Sequence, residues 1–301
     1  NTMSKIIYFI SIWLLLVSCE SIYFDDPSSL TNEEAAQKIK SLGYVLTKSS
    51  VQTVFATTTS NAGGSHFSLW ADQSTNTNGS QSWWDFANEP RLRLNNNAAY
   101  RGNAAVREIY SNFYQANLDA TKVIDLIENQ QITIYDDAGN NRTSDCLIGA
   151  YYAKGISQGY LGVIFDRGII VDDVSITTPG LPHSYKELIQ NGIGHLDKTL
   201  TLIAETTNLN FDFLTGVTVS KEDLTQLVNS FAARILSSEA RDKNEAEALS
   251  EAHWEKVLNY ASAGFTDNFM IPTVSGGYYN ALVDVLERPY GGASYVPVDI
   301  K

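Results

Sequence analysis

Basic residues are scarce in this sequence. It contains 21 Lys and Arg against 34 Asp and Glu, and its formal net charge at pH 7 is -13. Proteins that bind nucleic acid neutralise phosphate groups with clustered Lys and Arg, and the sequence has no such cluster. The composition therefore argues against nucleic acid as a partner.

Cysteine is also rare, with 2 residues in a chain of 301. This number excludes a disulfide framework. Cys146 lies in an apolar helical pattern and is predicted to be a small buried hydrophobic residue. Cys19 is different, because it ends an apolar run and is followed by polar sequence.

The common catalytic and cofactor-binding motifs are absent. The sequence has no Walker loop, no G-x-G-x-x-G, no G-x-S-x-G and no H-E-x-x-H, and its 4 histidines lack metal-ligand spacing. The acidic pairs 136–137 and 172–173 are interpreted as solvated charges in polar turns. No cofactor is therefore expected, although binding of calcium by such acids is left open.

The amino-terminal residues have the pattern of a signal peptide. Lys5 precedes an apolar run from Ile6 to Val17, which is shorter than the ~20 residues of a membrane-spanning helix. The run ends in "LVSC", residues 16–19, which resembles the bacterial lipobox. The resemblance implies cleavage after residues 1–18 and acylation of Cys19, and several acyl chains anchor a protein stably. An ordinary secretory signal is the alternative.

The mature chain is predicted to be mostly α-helical. After a tether at 19–30, a helix is predicted from a cap at Thr31 to a stop at Gly43, followed by irregular sequence over 44–97. Apolar residues at spacings of three and four then predict five helices, at about 98–128, 144–164, 185–205, after Ser220 and at about 246–263. Small residues at 150, 153, 155 and 159 would let a partner helix approach closely.

An aromatic and polar segment, "FSLWADQSTNTNGSQSWWDFANEPR" at 67–91, is the candidate ligand-binding region. Indole rings stack on the apolar face of a sugar, and amides and carboxylates bind its hydroxyl groups. The predicted stacking residues are Trp70, Trp83 and Trp84, and the predicted hydrogen-bonding residues are Asp72, Gln73 and Asp85. The alternative is that the tryptophans hold the segment against the helices.

Several segments in order resemble the SusD/RagB family of surface lipoproteins of Bacteroidota. They are "WADQSTNTNGSQSWWDFANEPR", "IYSNFYQANLDATKVID", "SYKELIQNGIGHLDKTL" and the helix pair at 220–264. The resemblance implies tetratricopeptide-like helix pairs that support a more irregular ligand-binding part. The helix starts at 184, 220 and 250 are loosely consistent with the ~34-residue tetratricopeptide period.

The same resemblance implies a function. Such a protein binds nutrients, usually glycans and sometimes peptides, as the lid of a SusC-like TonB-dependent transporter in the outer membrane. The resemblance also implies that the protein is not an enzyme. Family members normally continue further, so the domain at 31–301 is expected to be incomplete at its C-terminus. The alternatives are a surface-anchored helical glycoside hydrolase, a peptide-binding RagB-like lid and a tetratricopeptide adaptor for another protein.

Overall fold

The computed structural model describes residues 32–59, 64–71, 85, 95, 97–100, 103–174, 180–214 and 217–269. Contacts between Cα atoms divide the chain into two units, Asn1–Ile39 and Lys40–Lys301. In the first unit the structure describes only residues 32–39, which begin a helix. All other elements belong to the second unit.

The described residues are mostly α-helical, which confirms the predicted fold class. The helices are α1 (Asn32–Thr59), α2 (Gly64–Trp70), α3 (Asn103–Ile124) with a π-helical end (Asp125–Asn129), α4 (Thr143–Ile164), α5 (Tyr185–Glu205), α6 (Lys221–Ser237), α7 (Lys243–Ala248) and α8 (Glu251–Ser262). The strands form two short antiparallel pairs, β1 (Arg167–Gly168) with β2 (His183–Ser184), and β3 (Phe211–Leu214) with β4 (Val217–Val219). Within the described residues, no helix is both long and apolar enough to span a membrane.

Helix α1 continues well beyond the predicted stop at Gly43, and that prediction was wrong. A Cβ at Gly43 would lie 2.5 Å from Cδ1 of Ile134, so the glycine provides room for a neighbour rather than ending the helix. The predicted irregular region at 44–97 is also wrong where α1 and α2 occupy it. The apolar spacing typical of a helix is interrupted there, because buried positions of α1 are occupied by Thr47 and Ser50. The Thr47 hydroxyl donates to the Gly43 carbonyl at 2.8 Å, which lets a polar residue occupy the buried face of a helix.

Helix α4 is the centre of the core and is buried along most of its length. It packs against α3 and α5, and its small residues allow a close approach, as the sequence predicts. A Cβ at Gly155 would lie 2.7 Å from the Leu196 side chain of α5. Cys146 is fully buried in this core, which confirms its predicted role. Burial also raises the pKa of its thiol to about 12.

The later helices follow the predicted pattern, with one correction. Ser184 and Glu187 form the predicted capping box at the start of α5, and Ser220 caps α6 by accepting a hydrogen bond from the Asp223 amide. The single helix predicted at about 246–263 is instead two helices, α7 and α8. The chain breaks between them because Ser250 caps α8, its hydroxyl accepting from the His253 amide at 3.2 Å.

A buried arginine connects the start of α4 to β3. Arg142 donates to Asp145 at 2.9 Å and to Asp212 at 2.6 Å, and its guanidinium lies over the rings of Tyr44 and Phe213. The Arg142 side chain is only 4% exposed, and the two carboxylates compensate its buried positive charge. Arg142 therefore joins α1, the start of α4 and β3, which are distant from one another in the sequence.

Candidate functional site

The predicted ligand-binding segment lies only partly within the described residues. Trp70 and Asp85 are described there. The other predicted site residues lie outside the described part of the chain, namely Asp72, Gln73, Trp83, Trp84 and the lipidation site Cys19. Their roles stay predictions.

Trp70 ends α2 and is half-buried. Its ring centroid lies 6.2 Å from that of His66 and 5.6 Å from that of Phe67. Phe67 in turn lies 6.2 Å from the ring of Tyr160 in α4. These contacts tie the indole to the hydrophobic core and favour a packing role for Trp70. Its predicted role in stacking on a ligand stays a prediction.

Asp85 is exposed and accepts a hydrogen bond from the hydroxyl group of Tyr100. Burial, together with this hydrogen bond, raises the pKa of Tyr100 to about 12, so the hydroxyl stays protonated at neutral pH. A carboxylate has two acceptor oxygens, and Tyr100 occupies one site on one of them. Asp85 therefore keeps acceptor capacity for a hydroxyl or amide group of a ligand.

A groove of about 350 Å³ lies between α3 and a segment that we call the strap, residues 165–174. One wall is formed by residues from successive turns of α3: Tyr110, Tyr114, Leu118 and Lys122. The strap forms the other wall with Ile169, Ile170, Val171, Asp173 and Val174. At its mouth Leu118 is 40% and Val174 44% exposed. The groove is mostly apolar, with charged groups from Lys122 and Asp173.

Side chains hold the strap in place over the helices. The Tyr114 hydroxyl accepts from the Ile169 amide at 2.6 Å and donates to the Ile169 carbonyl at 3.1 Å. The Lys154 ammonium group donates to the Val171 carbonyl at 2.6 Å and to the Thr121 hydroxyl at 2.9 Å. Residues 169–171 of the strap are therefore held by polar side chains of α3 and α4, while Arg167 and Gly168 pair with β2.

Asp172 is the residue of this region that the sequence interpretation missed. It was interpreted as a solvated loop charge, but its carboxylate lies 2.9 Å from the ammonium group of Lys154, which is only 3% exposed. His195 lies 3.4 Å from the same carboxylate oxygen, and the contacts with His195 and Lys154 lower the pKa of Asp172. Burial lowers the pKa of Lys154. Nothing in the local sequence reveals the pair, since its members lie on different elements.

A second hollow, of about 340 Å³, lies between the start of α4 and the end of α5. Its lining is more polar and includes Ser144, Glu205, Thr207 and Asn208. Across the described residues, no group of three or more His, Cys, Asp or Glu side chains is placed to hold a metal ion.

No protein-family model matches the chain, and no curated protein matches it significantly. The structure is similar to the crystal structure of a SusD/RagB family protein from Bacteroides thetaiotaomicron VPI-5482, determined at 1.75 Å resolution. The similarity covers 75% of this chain and 43% of that chain, with 16% sequence identity and a TM-score of 0.49. This chain thus spans less than half the length of that protein.

Proposed function

We propose that the chain is a lipid-anchored, nutrient-binding protein of the SusD/RagB type that closes over a TonB-dependent transporter in the outer membrane. Its ligand is a glycan. The protein binds the ligand and delivers it for import, and it makes and breaks no covalent bond.

One observation carries this proposal: a lipobox-like end to a short apolar run at Cys19, followed in order by the four family-like segments. The apolar run is too short to span a bilayer comfortably. A thiol at its end provides an attachment point for acyl chains. Each segment alone is weak support, and their order along the chain strengthens it.

The described residues add support for a binding role. The helical part provides a rigid scaffold, with α4 buried in its centre. Trp70 ties the start of the aromatic segment to this scaffold, and Asp85 keeps acceptor capacity at the surface. This arrangement suits a ligand-binding segment, since such sites are disproportionately found on loops that a rigid scaffold positions.

Metabolic labelling tests the anchor. The chain, expressed in a bacterium with radiolabelled palmitate, should incorporate label at Cys19. Cys19→Ser should abolish the labelling, whereas Cys146→Ser should retain it, because Cys146 is buried in the core. Labelling that persists in Cys19→Ser would contradict the proposed anchor.

Binding to glycan and peptide arrays tests the ligand class, and co-purification from outer membranes tests the transporter. A glycan should bind without release of reducing sugar. Turnover that is lost when one carboxylate is replaced would instead establish the helical glycoside hydrolase. Stable complexes with a protein other than a transporter, without affinity for sugars or peptides, would favour the tetratricopeptide adaptor.

The groove beside the strap favours a peptide as the second candidate ligand. Its walls carry the apolar side chains of Leu118, Ile170 and Val174 and few groups that could bind sugar hydroxyls. A peptide with apolar side chains would bury them there. Leu118→Asp should then weaken peptide binding and leave glycan binding unchanged.

A further inference from the structure

The strap is held by two helices at a single carboxylate. The ammonium group of Lys154 in α4 lies 2.9 Å from Oδ1 of Asp172, and Nε2 of His195 in α5 lies 3.4 Å from the same oxygen. The side-chain amide of Asn191, also in α5, donates to the other oxygen of Asp172 at 3.4 Å. The carboxylate of the strap therefore lies between a cation on α4 and a ring on α5 that can gain a charge.

The movable part of this cluster is the strap, because α4 and α5 are in direct backbone contact beside it. A Cβ on Gly192 of α5 would lie 2.8 Å from the carbonyl oxygen of Gly155 in α4. The side chains of Lys154 and His195 are 3% and 17% exposed, so both are largely shielded from water. Asp172 is 51% exposed and lies where the strap has no regular secondary structure. Such a segment opens more easily than packed helices do.

We propose that His195 is a pH-sensitive latch on the strap. Histidine is the side chain that gains a positive charge on mild acidification. A charged His195 gives Asp172 a second cationic partner. If the strap then opens, the charges of His195 and Lys154 face each other without the carboxylate between them. Protonation of His195 therefore favours the closed strap, and this contribution is lost as the pH rises.

The latch acts on the groove, since residues 169–174 of the strap contribute most of one of its walls. Mild acidification fixes this wall against α3, and a rise in pH releases it. The device does not depend on which ligand the groove binds.

The nearest aromatic neighbour of His195 stays uncharged. The ring of Tyr151 in α4 lies 5.9 Å from the His195 ring, between centroids, and its hydroxyl group donates to Glu128. Burial, together with this hydrogen bond, raises the pKa of Tyr151. Lys198 of α5 lies over the same tyrosine ring, 6.0 Å from its centroid. Among the described residues, no charged group of α6 or α8 contacts His195, and Lys256 of α8 reaches α5 at Asp197 instead.

The charge on Asp172 is present throughout the range in which histidine titrates. Contacts with His195 and Lys154 lower the pKa of Asp172, so its carboxylate is ionised on mild acidification. Acidification below about pH 4 begins to protonate carboxylates and ends the effect. Burial lowers the pKa of Lys154, so its own titration has to be separated from that of His195 by experiment.

Hydrogen exchange of the strap amides, residues 169–174, tests the proposal. Protection factors, which are corrected for the intrinsic pH dependence of exchange, are compared at about pH 5.5 and about pH 7.5. In the wild type they should fall by about threefold to fivefold as the pH rises, as expected for a partly exposed ion pair. The amides of α6 should change much less, which separates opening of the strap from a change in overall stability.

Variants identify the group that responds. His195→Gln should remove the pH response of the strap, whereas the matched control His253→Gln should keep it, because His253 lies on α8 beside Trp254. Asp172→Asn keeps the histidine and removes the charge that it faces. This variant should lower protection at both pH values and abolish the gain on acidification, and it decides the matter if His195→Gln does not fold.

Two results would overturn the proposal. One is equal protection of the strap at both pH values in the wild type. The other is a pH response that His195→Gln retains, which would assign the titration to Lys154.

Discussion

Gly192 of α5 faces Gly159 of α4 so closely that a Cβ on Gly192 would lie 2.5 Å from the Gly159 backbone nitrogen. The same Cβ would lie 2.8 Å from the Gly155 carbonyl oxygen. The two helix backbones are therefore in direct contact. This contact determines how closely α5 approaches α4, the helix whose Lys154 holds the strap.

Gly192→Ala should destabilise the protein by about 3 kcal/mol, because the added methyl group meets backbone atoms that cannot move aside. Gly194→Ala is the matched control, since a Cβ there has nothing within 4 Å. In a helix this control should stabilise by about 0.5–1 kcal/mol. Urea unfolding followed by circular dichroism measures both. If the two variants have similar urea midpoints, α4 and α5 can move apart without loss of stability.

Asp172→Asn should destabilise the protein by roughly 2–3 kcal/mol, because it leaves the buried ammonium group of Lys154 without its carboxylate. The half-exposed position of Asp172 places the effect below that of a fully buried pair. Asp137→Asn, at an exposed turn position, is the control and should have little effect. If both variants unfold at the same urea concentration, the pair does not stabilise the strap.

The same pair predicts how stability depends on pH. The pKa of Asp172 is lowered in the folded state, so the unfolded chain binds a proton at a higher pH than the folded chain does. Its contribution is fully present above the ordinary carboxyl range and is lost as the pH falls through about 4 and below. The stability difference between the wild type and Asp172→Asn should therefore shrink on acidification, as measured by urea titrations between pH 7 and pH 3. A constant difference over this range would contradict the assignment.

Arg142→Lys should cost about 3 kcal/mol, although the charge is retained. A lysine has one ammonium group and cannot reach both Asp145 and Asp212 as the planar guanidinium does. At least one of those carboxylates would then lose its cationic partner. Arg107→Lys, on the exposed side of α3, should be nearly neutral, and thermal unfolding of both variants measures the difference. An equally small effect at both positions would mean that the cluster contributes little.

Trp70→Ala should lower the free energy of unfolding by about 2–3 kcal/mol, since its ring packs against Phe67 at the edge of the core. Trp83→Ala and Trp84→Ala should instead weaken glycan affinity and leave stability unchanged. Unfolding curves and ligand titrations of the three variants separate these effects. The division of roles is wrong if Trp70→Ala changes only affinity, or if the other two change only stability.

The pattern of apolar residues was sufficient to predict the later helices. In α5 and α6 the buried positions repeat every three or four residues, and the cap at Ser184 marks a helix start within the local sequence. The pattern was insufficient for α1 from residue 44 onward. There the buried face includes Thr47 and Ser50, whose hydroxyl groups are satisfied by carbonyls of the same helix.

The sequence by itself determined the mostly helical class, the burial of Cys146 and the order of the helices, because helical periodicity and end signals are local. The tertiary structure alone decided that Gly43 and Gly192 make room for neighbours, that Asp172 pairs with Lys154 and that the strap forms one wall of a groove. These features depend on which distant side chains meet, and residue spacing within one segment carries no information about that.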